Sequence, residues 1–173
     1  MAIKGNAYTK TTWAFEERPV ASSKLNLWDD RIESGLELMH FFLAQAWSGV
    51  DGVLRGVTAD DLDVQASSPV SLSVEAQPGY ASISDFPYHL SAVTSTGDVV
   101  VPTTDDRIDL VQARLGTWDI SVKTGSEAPS PSAPSPDADA IALAELYLRP
   151  AMTSIKDADD ATNGYIVDVR DFL

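Results

Sequence analysis

The sequence predicts an α+β chain, mainly β: one long N-terminal helix followed by an antiparallel β-sandwich or barrel-like domain. Three observations predict it. Residues 22–47 repeat apolar side chains at the three-and-four spacing of an amphipathic helix. From about Leu62 to the end, short runs alternate apolar and polar residues, the period of half-buried strands. The Pro/Ser run from Glu127 to Asp137 interrupts that second pattern once. A lone helix of this length cannot bury its stripe without a partner surface, so the sequence points to a presented, oligomeric protein.

Residues 1–21 are expected to form an extended N-terminal arm, with Pro19 suited to the lead-in before a helix. Ser22 and Ser23 are candidate N-caps, because a serine oxygen accepts from the unpaired first-turn N–H groups. Leu25, Trp28, Ile32, Gly35, Met39, Phe42 and Ala46 then form a heptad seam with Gly35 as its gap, and Leu36 and Leu43 widen it. Asp29, Asp30, Arg31, Glu33 and Glu37 mostly take the other side. Gly49 and Gly52 supply stop signals, so the oligomerisation helix is drawn over 22–50. Either the stripe packs on the chain's own β domain, or three copies meet stripe to stripe. Leu38 and Phe41 lie off the seam and add apolar surface beyond what one β face covers, which favours the bundle. The expected interface is Leu25, Trp28, Ile32, Leu36, Met39, Phe42 and Leu43.

The β domain is drawn over 57–173. Val70, Leu72, Val74 and Ala76 alternate with Ser71, Ser73 and Glu75, and Gln77-Pro78-Gly79 reads as a turn with Gly79 left-handed. Tyr80–Ile83 is the returning strand. Further strands are expected at Tyr88–Val93, Val99–Val101, Ile108–Leu115, Trp118–Lys123, Ile141–Leu148 and Tyr165–Val169, with a hairpin at Gly116-Thr117. Prolines fix φ and remove donors, so 127–137 is expected to be extended, as a flexible loop or as an arm along a neighbouring subunit.

At 173 residues the chain is long enough for one domain with a real core. Its net charge of −14 and scattered basic residues argue against a nucleic-acid partner, which needs clustered Lys and Arg. The absence of Cys removes disulfides, thiolate zinc sites and thiol catalysis. No apolar run approaches the roughly 18 residues that span a bilayer, and the start lacks an apolar signal core. No membrane partner is expected.

Chemistry finds little footing. His40 and His89 have no partner at metal-ligand or catalytic spacing, and no phosphate loop or nucleophile motif occurs. The acidic stretch Asp157–Gly164 departs from the calcium-loop template at Ala161, Thr162 and Asp168, and reads as a solvated turn. Asp60-Asp61 and Asp105-Asp106 also read as loop acids. Trp13, Trp28, Trp47 and Trp118 supply the aromatic surface a glycan site would need, but the helix core and a strand claim most of them. No catalytic residue, cofactor or metal is expected. Arg107 with Asp109, and Asp168 with Arg170, are candidate ion pairs from their spacing.

The order of segments resembles the small structural and appendage proteins of tailed bacteriophages. The stretch Trp13–Asn26 running on to Ile32–Gly35 is similar to the N-terminal helix opening of tail-fibre and baseplate proteins. Val74–Ile83 resembles their strand-turn-strand, and Asp106–Val111, Lys123–Gly125, the Pro-rich run, Ile141–Ala144 and Ile166–Arg170 follow in the same succession. The resemblance implies a virion protein made in the host cytoplasm: a homotrimeric adaptor or anchor in the tail, baseplate or fibre-attachment region, contacting other virion proteins. A capsid decoration or head-fibre protein is the alternative, and a carbohydrate-binding receptor module is the competitor from another class. With no extension after Leu173, the resemblance favours an adaptor, collar or decoration role.

Overall fold

The computed structural model describes residues 22–46, 49–56, 60–117 and 119–173. It divides into two compact units, Met1–Gly49 and Val50–Leu173. The arm expected over 1–21 lies outside the described residues. So do Trp13, Trp47 and Trp118.

The first unit contributes one helix, α1 (Ser22–Ala46). The extent expected from sequence, to residue 50, is not supported: α1 ends at Ala46, and its side chains are described without a break only from Lys24 to Glu33. Gly49 follows with φ +66, a conformation open to glycine at little cost. Gly52 is no helix stop. It lies in a strand, where an added Cβ would sit 2.9 Å from the Asp171 carbonyl oxygen.

The second unit is mainly β, in antiparallel sheets. Its strands are β1 (Gly52–Val53), β2 (Val64–Ala66), β3 (Val74–Ala76), β4 (Gly79–Ile83), β5 (Phe86–Leu90), β6 (Thr94–Ser95), β7 (Arg107–Arg114), β8 (Asp119–Lys123), β9 (Ala140–Leu148), β10 (Ile155–Lys156) and β11 (Gly164–Asp168). They pair in the orders β1-β4-β5, β2-β3-β6 and β10-β11-β9-β7-β8, and the β10–β11 pair alone among these is parallel. The unit therefore begins at Val50 rather than 57. Two-residue β1 carries too little pattern to be read locally, and it is defined by its partners.

Of the two long strands, β7 is buried on both faces from Arg107 to Ala113, while β9 alternates except at Leu143-Ala144. On β9, Leu143, Leu146 and Leu148 are fully buried and join Val111, Ala113, Ile83, Tyr88 and Ile155 in one core cluster. Burying each such aliphatic side chain is worth about 1.5–3 kcal/mol. The β7–β8 hairpin turns at Leu115–Thr117 as the Gly116-Thr117 signal predicts, with Arg114 opposite Asp119. A second, tighter hairpin joins β4 to β5: Ile83 faces Phe86, and Ser84 and Asp85 both take positive φ (+51 and +66). Positive φ at both central residues is the mirror-image turn that matches strand twist.

Three expectations are corrected. Val70–Leu72 is not strand: Val70 is exposed, and the Ser67, Ser71 and Ser73 hydroxyls hydrogen-bond to one another at 2.8 and 2.9 Å, giving this segment a local alternative to a ladder. Val99–Val101 is loop, although the Val99 N–H donates to the Leu72 carbonyl and its side chain is buried. Gly79 is not left-handed. It opens β4 while β3 lies in another sheet, so Gln77-Pro78 is a crossing between sheets rather than a hairpin turn.

Candidate interaction surfaces

The predicted interface residues on α1 are exposed wherever their side chains are described. Leu25 is 48% exposed, Trp28 47%, Ile32 43%, Leu36 60%, Met39 60% and Leu43 48%. Phe42 and His40 lie outside the described side chains. The exposed positions recur at three, four, four, three and four, which is one side of a helix. A continuous apolar stripe left in water is the kind of patch that marks an association surface.

On the second unit the Pro/Ser segment is fastened to its own sheet. The Glu127 carboxylate accepts from the Thr103 N–H (3.1 Å) and Thr104 N–H (3.0 Å), and the Ala128 N–H donates to the Asp106 carbonyl. At the far end, Asp137 accepts from Gln112 Nε2 (2.6 Å) and Lys123 Nζ (2.6 Å), while its N–H donates to Gln112 Oε1. Just ahead of Glu127, Gly125 lies so close to the Ile108 carbonyl oxygen that no Cβ fits. Ile108, Leu110 and Gln112 of β7 are buried, yet the two aliphatics lie outside the main core cluster. They face away from Val111 and Ala113, on the side where Gln112 bonds Asp137 and Ile108 lines a pocket with Pro131. The segment expected to be extended, as a loop or as an arm, is a strap held at both ends on its own sheet.

Beside Pro131 of the strap is a pocket of about 210 Å³, lined also by Asp106, Tyr147, Arg149 and Tyr165. Tyr147 and Tyr165 stack across β9 and β11 with ring centres 4.9 Å apart, and the Arg149 guanidinium lies 5.1 Å from the Tyr165 ring centre. Arg149 also donates to the Asn163 carbonyl and to Asp159. Each group is therefore engaged with its own chain.

The remaining candidates have structural partners as well. Arg107 Nε meets Asp109 Oδ1 at 2.7 Å, and Arg170 Nη2 meets Asp168 Oδ2 at 2.8 Å, as their spacing suggested. Arg170 further reaches Asp63 and the carbonyls of Asp60 and Asp61. Asp61 is a loop acid but a buried one, accepting from the Gly56 N–H, which adjacency to Asp60 could not reveal. In the acidic turn, Asp160 accepts from the N–H groups of Thr162 and Asn163 and pairs with Lys156, so cations and amides of the chain itself occupy its oxygens. His89 stacks on Tyr80 with ring centres 4.2 Å apart. Among the described residues there is no cluster of metal-ligating side chains, and no helix is long and apolar enough to cross a membrane.

The strap's anchors titrate. Amide donation from Thr104 and Thr103 holds the Glu127 carboxyl below its ordinary range, and the Lys123 ammonium and Gln112 amide do the same for Asp137. A depressed carboxylate stabilises the fold fully above its unfolded value, near about 4, and that stabilisation is lost as pH falls through the lower folded value. Urea midpoints are therefore expected to hold steady from neutral pH down to the carboxylate range and to fall below it. Replacing Glu127 and Asp137 by Gln and Asn should flatten part of that fall.

No known relative guides the reading. No family model, curated protein or solved structure matches the chain.

Proposed function

We propose that this chain is a structural protein that works by self-association and assembly rather than by catalysis. The observation that carries the reading is the stripe from Leu25 to Leu43, whose six described apolar side chains stand 43–60% exposed. Burial of such a stripe against copies of itself is worth about 25 cal/mol per Å² of apolar surface removed from water. In this reading the helix joins subunits into a trimer. The three sheets close as a sandwich or barrel-like domain and dock on neighbouring proteins. The resemblance in segment order supports a tailed-phage virion setting: an adaptor or anchor at the tail, baseplate or fibre attachment, with capsid decoration or a head fibre as the alternative location.

A carbohydrate-binding module would need an aromatic face open to a sugar ring. The stacked Tyr147–Tyr165 pair is one such surface on the second unit, and Arg149 already lies over Tyr165. The assembly reading is therefore preferred.

Light scattering of the purified chain tests it. The wild type is expected to run as an oligomer. Leu36→Asp with Met39→Asp, both at positions 60% exposed and so free of cost to the single subunit, is expected to give a folded monomer. A monomeric wild type, or an oligomer indifferent to both charges, would reject the helix as the contact.

A further inference from the structure

We infer that three copies of α1 associate parallel and in register, with orientation set by Lys24 and Asp29; this rests on the self-association reading above. In heptad terms Leu25, Ile32 and Met39 take a; Trp28 and Gly35 take d; Asp29, Leu36 and Leu43 take e; and Lys24 and Arg31 take g. In a parallel in-register bundle each g residue faces the e residue five positions on in the neighbour. That juxtaposes Lys24 with Asp29 of the next copy, and lays the Arg31 stem along Leu36. In an antiparallel seam g faces g and e faces e. The described cations then lie on one flank and Asp29 on the other, with no opposite charge across the seam.

The copy number follows from the width of the stripe. A two-stranded seam buries a and d alone, but Leu36 and Leu43 at e are 60% and 48% exposed. A third helix covers the e flank. At d, an added Cβ on Gly35 would meet nothing within 4 Å, so the seam carries a gap at mid-length. An antiparallel partner could fill that gap with Trp28, which is the competing arrangement; the flank charges favour the parallel one.

The chain has no cysteine, so a single introduced thiol reports on orientation directly. Leu25→Cys and Met39→Cys, each alone and under mild oxidation, are expected to form a disulfide between like positions, one covalent pair per trimer. A disulfide needs Cα atoms about 4.4–6.8 Å apart, which in-register packing supplies at both ends. Leu27→Cys, at the outer c position, is the control and should link little. In an antiparallel pair centred between Trp28 and Gly35, two copies of position 25 lie about 20 Å apart at 1.5 Å rise per residue. Linking only in a mixture of the two variants, never within either alone, overturns the parallel orientation while self-association stands. Like-with-like links in a species that light scattering weighs as a dimer overturn the third copy. A wild-type monomer instead fails the self-association reading itself.

Discussion

Replacing Asp109 with Ala is expected to destabilise the second unit by about 3–5 kcal/mol, the cost of breaking a buried ion pair. Asp109 and Arg107 are 1% and 6% exposed on the core side of β7, opposite Leu146 and Leu148. The carboxylate takes both Nε (2.7 Å) and Nη2 (3.0 Å) of Arg107 and also accepts from the Gly125 N–H at 2.9 Å. Its removal strands a guanidinium away from water, with the Val100 carbonyl as its remaining acceptor, and strips Gly125 at the root of the strap. Each loss has the cost of an unsatisfied buried group. The double change Arg107→Met with Asp109→Leu leaves no buried charge and should recover most of the stability. Urea unfolding of the three proteins decides it: a single variant within 1 kcal/mol of wild type would mean that water reaches the pair.

Gly79→Ala is expected to cost about 3 kcal/mol or more, the upper end for forcing an atom into a packed site. A Cβ there would overlap the Leu62 backbone nitrogen and lie 2.8 Å from Leu62 Cγ and 2.9 Å from the Asp61 carbonyl carbon. That backbone cannot easily withdraw. Asp61 and Leu62 already hold positive φ (+44 and +63), Leu62 is fully buried, and Arg170 grips the Asp60 and Asp61 carbonyls. Gly116→Ala is the control, since nothing lies within 4 Å of its added carbon. Thermal unfolding should separate the two clearly, and equal midpoints would show that the 60–62 loop moves.

The two variants also mark how far the sequence could be read. The Arg107–Asp109 pair was legible because i and i+2 share one face of a strand and β7 is long enough to be read as one. Strands β7, β8, β9 and β11 were legible for the same reason. The role of Gly79 was not, because its crowding comes from residues 61 and 62, on another segment. Nor was the Ser84-Asp85 hairpin, whose residues are weaker turn signals than Asn-Gly. Alternation reports which side chains leave water, not their partners, so Gln112 could not announce its bonds to Asp137 in the strap. On α1 the stripe was plain from its spacing. Its end was not, because Gly52 looks like a stop signal while the C-terminal residues pull it into a strand.

That last pairing has a mechanical consequence. Val53 bridges Phe172 in parallel, its N–H donating to the Asp171 carbonyl (2.7 Å) and its carbonyl accepting from the Leu173 N–H (3.0 Å). Tension entering at Val50 and leaving at Leu173 pulls these two segments lengthwise past each other. Both bonds then bear the load together instead of opening one at a time, so the unit resists tugging along this axis better than peeling from either edge.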